Sequence, residues 1–384
     1  MMAKRLLLFL PFVLPAYQIR WRVGMFPTSV LEVFLFVIVI AWLWERRWKG
    51  VREGWKRMDA WRPPVIAWCL TSLLAVLVAP SWWQALGLWR AYILEPLLIF
   101  LVIADVFRDT KGRETLLRSI YWVVILMAVW AIIQFATGFG IAQPWNVSIG
   151  LGRRATGPFP FPNALALFVV PVVAYAFVSW IEKRSILACV TWLMGAVAIL
   201  LARSDGGIGT FLTIAWMAML LNRHLRWLAI SLGLTAVLLI WSIPAWHNVF
   251  FREVLFQGWS GKVRLIMWRE AWQMLKDHWF FGVGFGTYPL AVAAYHRATF
   301  IEIFQYPHNI LLNLWSEVGL LGIAAFGWVV MVWSRLKFQR IVPLLAILVH
   351  GLVDVPYFKN DLAVLFWMLA ALMTLRFDHR VEER

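Results

Sequence analysis

Near the end of the chain a hydrophilic stretch runs back into an apolar segment through Tyr306-Pro307-His308-Asn309, followed by Glu317, Gly319 and Gly322. An imidazole and a carboxylate at the mouth of an apolar segment are costly to place, so their presence points to a function. A helix running from His308 would align Asn309, Asn313 and Glu317 on one face. His308 would then lie in the first turn, close to water, where it could take a proton from a hydroxyl group. The same residue could instead only cap or anchor the helix end, and spacing does not separate these roles.

Upstream of this segment stand Lys262, Arg264, Arg269, Lys276 and Arg297. Such a group of cations suits an anionic ligand, and the competing reading is a solvated helix face paired with Glu253, Glu270 or Asp277. Val263 to His278 has helical periodicity, with Trp268, Ala271, Trp272 and Leu275 as its apolar stripe. Gly282, Gly284 and Gly286 follow as a tight turn; no strand precedes them, so they are not a dinucleotide-binding loop.

The elements that must carry these residues are membrane spans. The 384 residues are 62% hydrophobic with a mean hydropathy of +0.74, far more apolar surface than one soluble core could bury. Apolar runs near 6–19, 26–44, 64–80, 88–107, 119–139, 162–181, 185–202, 207–221, 227–243, 308–332, 341–357 and 361–376 predict an all-α polytopic membrane protein with about twelve transmembrane helices. The first run is read as a retained span, because no small-residue cleavage site follows Lys4-Arg5 and Leu6 to Tyr17. Basic clusters follow every second run, at Arg46 to Arg57, Arg108 to Arg118, Lys183-Arg184, Arg223-Arg226, Arg335 to Arg340 and a tail with Arg376, Arg380 and Arg384. By the positive-inside rule these loops and both termini are cytoplasmic. The loops near 81–87, 140–161 and 203–206 then face outside with 244–307, the one large periplasmic loop, which lies between spans 9 and 10 and holds the amphipathic helix 263–278. The whole of 1–384 reads as one integral membrane domain.

The net charge of +16, from 36 basic and 20 acidic residues, is concentrated in loops that face anionic headgroups and calls for no nucleic acid. Many of the 27 Trp residues lie near span ends, where they anchor at the interface. Cys69 and Cys189 lie in apolar stretches and act as small hydrophobes. No His, Cys and carboxylate cluster has the spacing of a metal site. Glu32, Glu95, Arg203, Glu317 and Asp354 fall within or at the ends of apolar runs and should face the bundle interior.

The order Arg154-x-Thr156-Gly157-Pro158-Phe159 with Pro162-Asn163, Leu201-Ala202-Arg203-Ser204-Asp205-Gly206-Gly207, Arg264-x-x-x-Trp268, His278 to Gly284, Pro307-His308-Asn309 with Glu317-x-Gly319-x-x-Gly322, and His350-Gly351-Leu352-Val353-Asp354 resembles the O-antigen ligase and polymerase family of bacterial envelope glycosyltransferases. The resemblance implies a C-type, metal-independent, inverting glycosyltransferase of the bacterial inner membrane that uses no cofactor. Its donor would be an undecaprenyl diphosphate-linked glycan, and its acceptor a hydroxyl of lipid A core or of another glycan. Residue by residue it implies His308 as general base and Arg264 and Arg203 as catalytic cations on the leaving diphosphate. Asn309, Glu317, Arg154, Asn163, Lys262, Arg269 and Asp354 would hold substrate on the periplasmic face. The family pattern has Ser before its Arg and a small residue after it, whereas Asp205 here lies two positions beyond Arg203 and could partly neutralise it. A ligase is preferred to a polymerase.

Two rivals belong to other classes. A secondary transporter would carry its long loop between spans 6 and 7, where only Glu182 to Arg184 lie, and would show a Gly-x-x-x-Asp-Arg pattern between spans 2 and 3, which Glu45 to Arg62 lacks. A lipid-glycan flippase would need no base.

Overall fold

The computed structural model describes residues 1–24, 26–146 and 152–374, so the basic tail with Arg376, Arg380 and Arg384 and the centre of the 140–161 loop lie outside the described residues. The chain is built of helices: α1 Met2–Val13, α2 Val30–Arg57, α3 Arg62–Val78, α4 Trp82–Trp89, α5 Glu95–Val106, α6 Thr110–Thr137, α7 Pro162–Lys183, α8 Ile186–Ala202, α9 Asp205–Leu221, α10 Arg226–Ser242, α11 Pro244–Val254, α12 Trp259–Asp277, α13 Tyr288–Val292, α14 Ile310–Ser334, α15 Phe338–Gly351 and α16 Asn360–Thr374. One short antiparallel ribbon, β1 Arg20–Val23 with β2 Phe26–Ser29, interrupts the helices. It occupies the start of the run expected as span 26–44, so α2 begins only at Val30, where the Ser29 hydroxyl accepts the Glu32 N–H.

Five helical segments are long and apolar enough to cross a membrane, and a sixth is formed if α10 and the following helical segment, bent by 104°, count as one. Four shorter apolar helices, α8, α9, α15 and α16, accompany them. This is a multi-pass membrane protein. α16 extends only about 22 Å at 1.5 Å per residue. It is buried from Asn360 to Met373, so protein rather than lipid surrounds it. α7 is buried along almost its whole length and packs against α8, α9 and α15.

Lipid is as apolar as a helix flank, so packing and internal polar contacts hold such a bundle together. Trp68, Phe326, Phe358 and Phe366 pack their rings against Tyr357, whose hydroxyl accepts Trp68 Nε1 at 3.3 Å and Trp367 Nε1 at 3.0 Å and donates to the Tyr92 carbonyl at 3.0 Å. That carbonyl is free because Arg90–Leu94, between α4 and α5, widens into a π turn. At the opposite end of α5 the buried Asp105 carboxylate accepts Trp42 Nε1 at 2.9 Å and a two-pronged contact from Arg46 at 2.9 and 3.0 Å, with Arg108 also against it.

α14 is broken at Gly319, whose φ of +67° is left-handed. The turn 280–283 crosses the break: the Val283 N–H donates to the Ser316 carbonyl at 2.7 Å and the Leu320 N–H to the Phe280 carbonyl at 2.9 Å.

Candidate functional site

His308 is not part of α14. Its φ of +47° places it in the left-handed region, a conformation that costs a non-glycine residue roughly 1–3 kcal/mol and persists only when its surroundings enforce it. Asn309 supplies much of that enforcement. Its side-chain oxygen accepts the Leu311 and Leu312 N–H groups at 3.0 and 3.1 Å, capping α14, while its Nδ2 donates to the Leu352 carbonyl at 2.9 Å. The cap therefore joins the α14 entrance to the segment that follows α15.

The bend aims the imidazole at Asp354. His308 Nδ1 lies 3.0 Å from Asp354 Oδ1, which also accepts the Val355 N–H at 2.8 Å. Asp354 is 3% exposed at its side chain and His308 is 19% exposed, so the pair has a buried acid end and an open imidazole end.

Asn163, in the first turn of α7, reaches Asp354 Oδ2 at 3.5 Å through Nδ2 and accepts Arg154 at 3.3 Å through its oxygen. Arg154 stacks on the Trp145 ring at 4.9 Å and donates to the carbonyls of Ala202 and Arg203 at 3.0 and 3.1 Å, covering the negative end of α8. Arg203, itself left-handed at φ +49°, donates to the Gly152 carbonyl at 2.9 Å. Arg264, on α12, donates Nε to the Val353 carbonyl at 2.8 Å and Nη1 to the Ser260 hydroxyl at 2.5 Å; among the described residues its Nη2 has no partner. His308, Asn309, Asp354, Asn163, Arg154, Arg203 and Arg264 are thus joined through α7, α8, α12, α14 and the 352–359 segment.

Three expected substrate residues lie elsewhere. Glu317 does not share a face with His308: it is buried and accepts the Gly286 N–H at 2.5 Å, tying α14 to the glycine turn. Lys262 and Arg269 are exposed on α12, roughly 160° and 140° around the helix from Arg264, so they point away from the Arg264 contact. The buried stripe of α12 is Val263, Met267, Ala271, Met274 and Leu275, and Trp272 falls outside it, half exposed. Glu270 and Asp277 do not pair with the α12 cations; they bind His296 and the Tyr295 hydroxyl.

Two residues with no role assigned from sequence also border the site. His350 is buried with Nδ1 unpartnered, and a Cβ at Gly206 would come within 3.3 Å of its ring. Lys359 is buried at Nζ over the Phe161 ring, 4.0 Å from its centroid. Each lies four or five residues from Asp354 in an unremarkable apolar context, and only His350 falls within a motif.

Residues 189–327 match the O-antigen ligase family. This segment is similar to that family. It contains Arg203, Arg264, His308, Asn309 and Glu317, whereas Arg154, Asn163 and Asp354 come to the site from outside it. Among curated proteins the chain finds no match. The match over this segment supports ligase- or polymerase-type chemistry with glycan-lipid substrates in general.

Proposed function

We propose that this protein moves a glycan from an undecaprenyl diphosphate carrier to a hydroxyl of lipid A core, at the periplasmic face of a bacterial inner membrane. The observation that carries the reading is the Nδ1 contact between His308 and Asp354, which leaves Nε2 without a protein partner among the described residues. A carboxylate on Nδ1 selects the tautomer with its proton there, so the Nε2 lone pair is available to a hydroxyl. The same carboxylate stabilises the imidazolium that forms once the proton has moved.

In the proposed reaction the acceptor O–H gives its proton to His308 Nε2 as its oxygen attacks the anomeric carbon. The bond between that carbon and the phosphate oxygen breaks on the opposite side, so the configuration inverts, and the diphosphate leaves with the electron pair. A lipid diphosphate is a good leaving group and needs charge stabilisation more than a proton. Arg264 is the best-suited cation, since part of its guanidinium remains available. Arg154 and Arg203 serve mainly to join the end of α8 to the 152–154 segment.

The topology proposed with this function is a twelve-span bundle with cytoplasmic termini and the 244–307 segment on the periplasmic side, as the basic loops suggest. Purified protein in liposomes, supplied with undecaprenyl diphosphate oligosaccharide with and without lipid A core, tests the reaction. Core-dependent transfer supports a ligase. A ladder growing on the carrier without core would make the enzyme a polymerase, and the absence of both products would remove the proposal.

A further inference from the structure

We infer that Lys359 is a positioning residue for the His308 and Asp354 pair: its ammonium, seated on the Phe161 ring, clamps the first turn of α7 against the 352–359 segment and so holds Asn163 on Asp354. The inference rests on the glycosyl-transfer reading above and adds a residue that acts on its base.

Asp354 is held unevenly. Oδ1 meets His308 Nδ1 and accepts the Val355 N–H, whereas Oδ2 has one partner among the described residues, Asn163 Nδ2 at 3.5 Å. That distance is at the limit of a hydrogen bond, so a shift of about half an ångström in the first turn of α7 decides whether the contact exists. Without it a buried carboxylate oxygen is left unpaired, and the carboxylate is free to turn away from the imidazole it orients.

The direction of that turn is set from outside the helix. α7 begins at Pro162 with no side-chain cap, and Phe161 ahead of it is extended at φ −148° and ψ 152°. Arg154 holds Asn163 through its side-chain oxygen at 3.3 Å, and Lys359 Nζ lies 4.0 Å from the centroid of the Phe161 ring, two residues before Asn163. The lysine itself rests on fixed backbone. Its N–H donates to the Tyr357 carbonyl at 2.7 Å, its carbonyl accepts the Ala363 N–H at 2.8 Å where α16 starts, and the Tyr357 hydroxyl is bonded to Trp68, Trp367 and the Tyr92 carbonyl.

The contact calls for a cation. Lys359 Nζ is buried without a hydrogen-bond partner, and among the described residues neither Asp361 nor Asp354, the carboxylates nearest it in sequence, forms an ion pair with it. A desolvated ammonium is costly to keep, and the face of an aromatic ring offsets that cost the more as water is excluded. An apolar side chain of similar length would fill the same space without the cost, so the charge points to the grip on Phe161. A cation kept for the donor diphosphate would act on substrate binding instead, and the two roles separate in kinetics.

Full-length Lys359→Met, Lys359→Arg and Phe161→Leu proteins, and the double variant of Lys359→Met with Phe161→Leu, test the clamp in liposomes. Lys359→Met should lower kcat by about tenfold to a hundredfold, the scale on which small misplacements of a reacting group act, with donor and acceptor KM unchanged. Lys359→Arg keeps a cation on the ring and should recover most of the loss, and the double variant should be no slower than the slower single one, because both changes remove one contact. A rise in donor KM, no recovery by arginine, or additive losses overturns the assignment. Phe161→Leu, an apolar exchange, carries the same comparison of kcat with KM if Lys359→Met does not fold. Hydrogen exchange over 161–166 and 353–356 gives a readout that does not depend on turnover; it should quicken in Lys359→Met and Phe161→Leu and return toward the wild type in Lys359→Arg. That pattern supports the clamp even if no transfer is ever seen, in which case only the reaction falls. Unchanged exchange in both variants overturns the clamp while leaving the reaction standing.

Discussion

His308 Nδ1 and Asp354 Oδ1 lie 3.0 Å apart although 46 residues separate them in sequence. The carboxylate comes from the far side of α15, so the imidazole is oriented by a segment independent of its own helix.

This pairing predicts the outcome of an isosteric change. Asp354→Asn cannot stabilise the imidazolium and favours the wrong tautomer, an exchange that lowers turnover by about 10⁴ in the serine protease triad. A loss of the same order, roughly 10²–10⁴, is expected here, with donor binding retained. Transfer rates in liposomes check it; a loss under tenfold would remove Asp354 from the mechanism. His308→Ala should leave no measurable transfer.

Arg264 provides a second test. Arg264→Ala should raise the donor KM and lower kcat, and Arg264→Lys should recover only a small part, because one ammonium cannot hold the Val353 carbonyl and the Ser260 hydroxyl while also facing a diphosphate. Donor titration of the three proteins decides the matter, and full recovery by lysine would contradict it.

The outer segment should respond to pH. His296 meets the Glu270 carboxylate through Nδ1 and the Ile301 carbonyl through Nε2, both at 3.0 Å, and both nitrogens can donate only in the imidazolium. The hydrogen bond to Glu270 is the main cause raising the His296 pKa above 6.5. A raised folded-state pKa stabilises fully below about 6.5 and loses that contribution as pH rises through the folded value. Hydrogen exchange across 293–301 should therefore quicken with rising pH beyond its intrinsic dependence, and Glu270→Gln should flatten the difference.

The glycine turn makes a fourth prediction. A Cβ on Gly282, whose φ is +69°, would stand 2.5 Å from the Ser316 carbonyl oxygen and 2.6 Å from that of Trp315. Backbone cannot yield as a side-chain end can, so Gly282→Ala should cost several times the usual strain of about 1 kcal/mol for a left-handed residue. Gly209→Ala, with open space around it, is the control. Thermal unfolding in detergent compares them, and equal melting temperatures would sink the argument.

Much of this was legible in the residue pattern, and the failures have specific causes. Apolar run length and basic loops exposed the membrane character, since both follow from transfer energies that depend little on context. His308, Asn309 and Asp354 stood out because polar residues at the ends of apolar segments are conspicuous, and Arg264 because it is one of several cations in the outer loop. Glu317 looked like a partner of His308 on helical spacing, but the chain enters α14 only at Ile310 and the carboxylate bonds backbone across the helix. Lys262 and Arg269 counted as neighbours of Arg264 in sequence while the helix turned them to its other side. Lys359 gave no signal because its burial over the Phe161 ring is a property of packing.

The break at Gly319 has a mechanical consequence. The 280–286 turn is bonded on both sides of it, to Ser316 and Glu317 before and to Leu320 beyond, while Ile310, Leu314 and Val318 lie in the main core. The turn therefore acts as a splint, supplying hydrogen bonds across the point where α14 gives up its own, so that the helix can change direction at Gly319 while His308 at its entrance stays fixed to the same frame as Asp354.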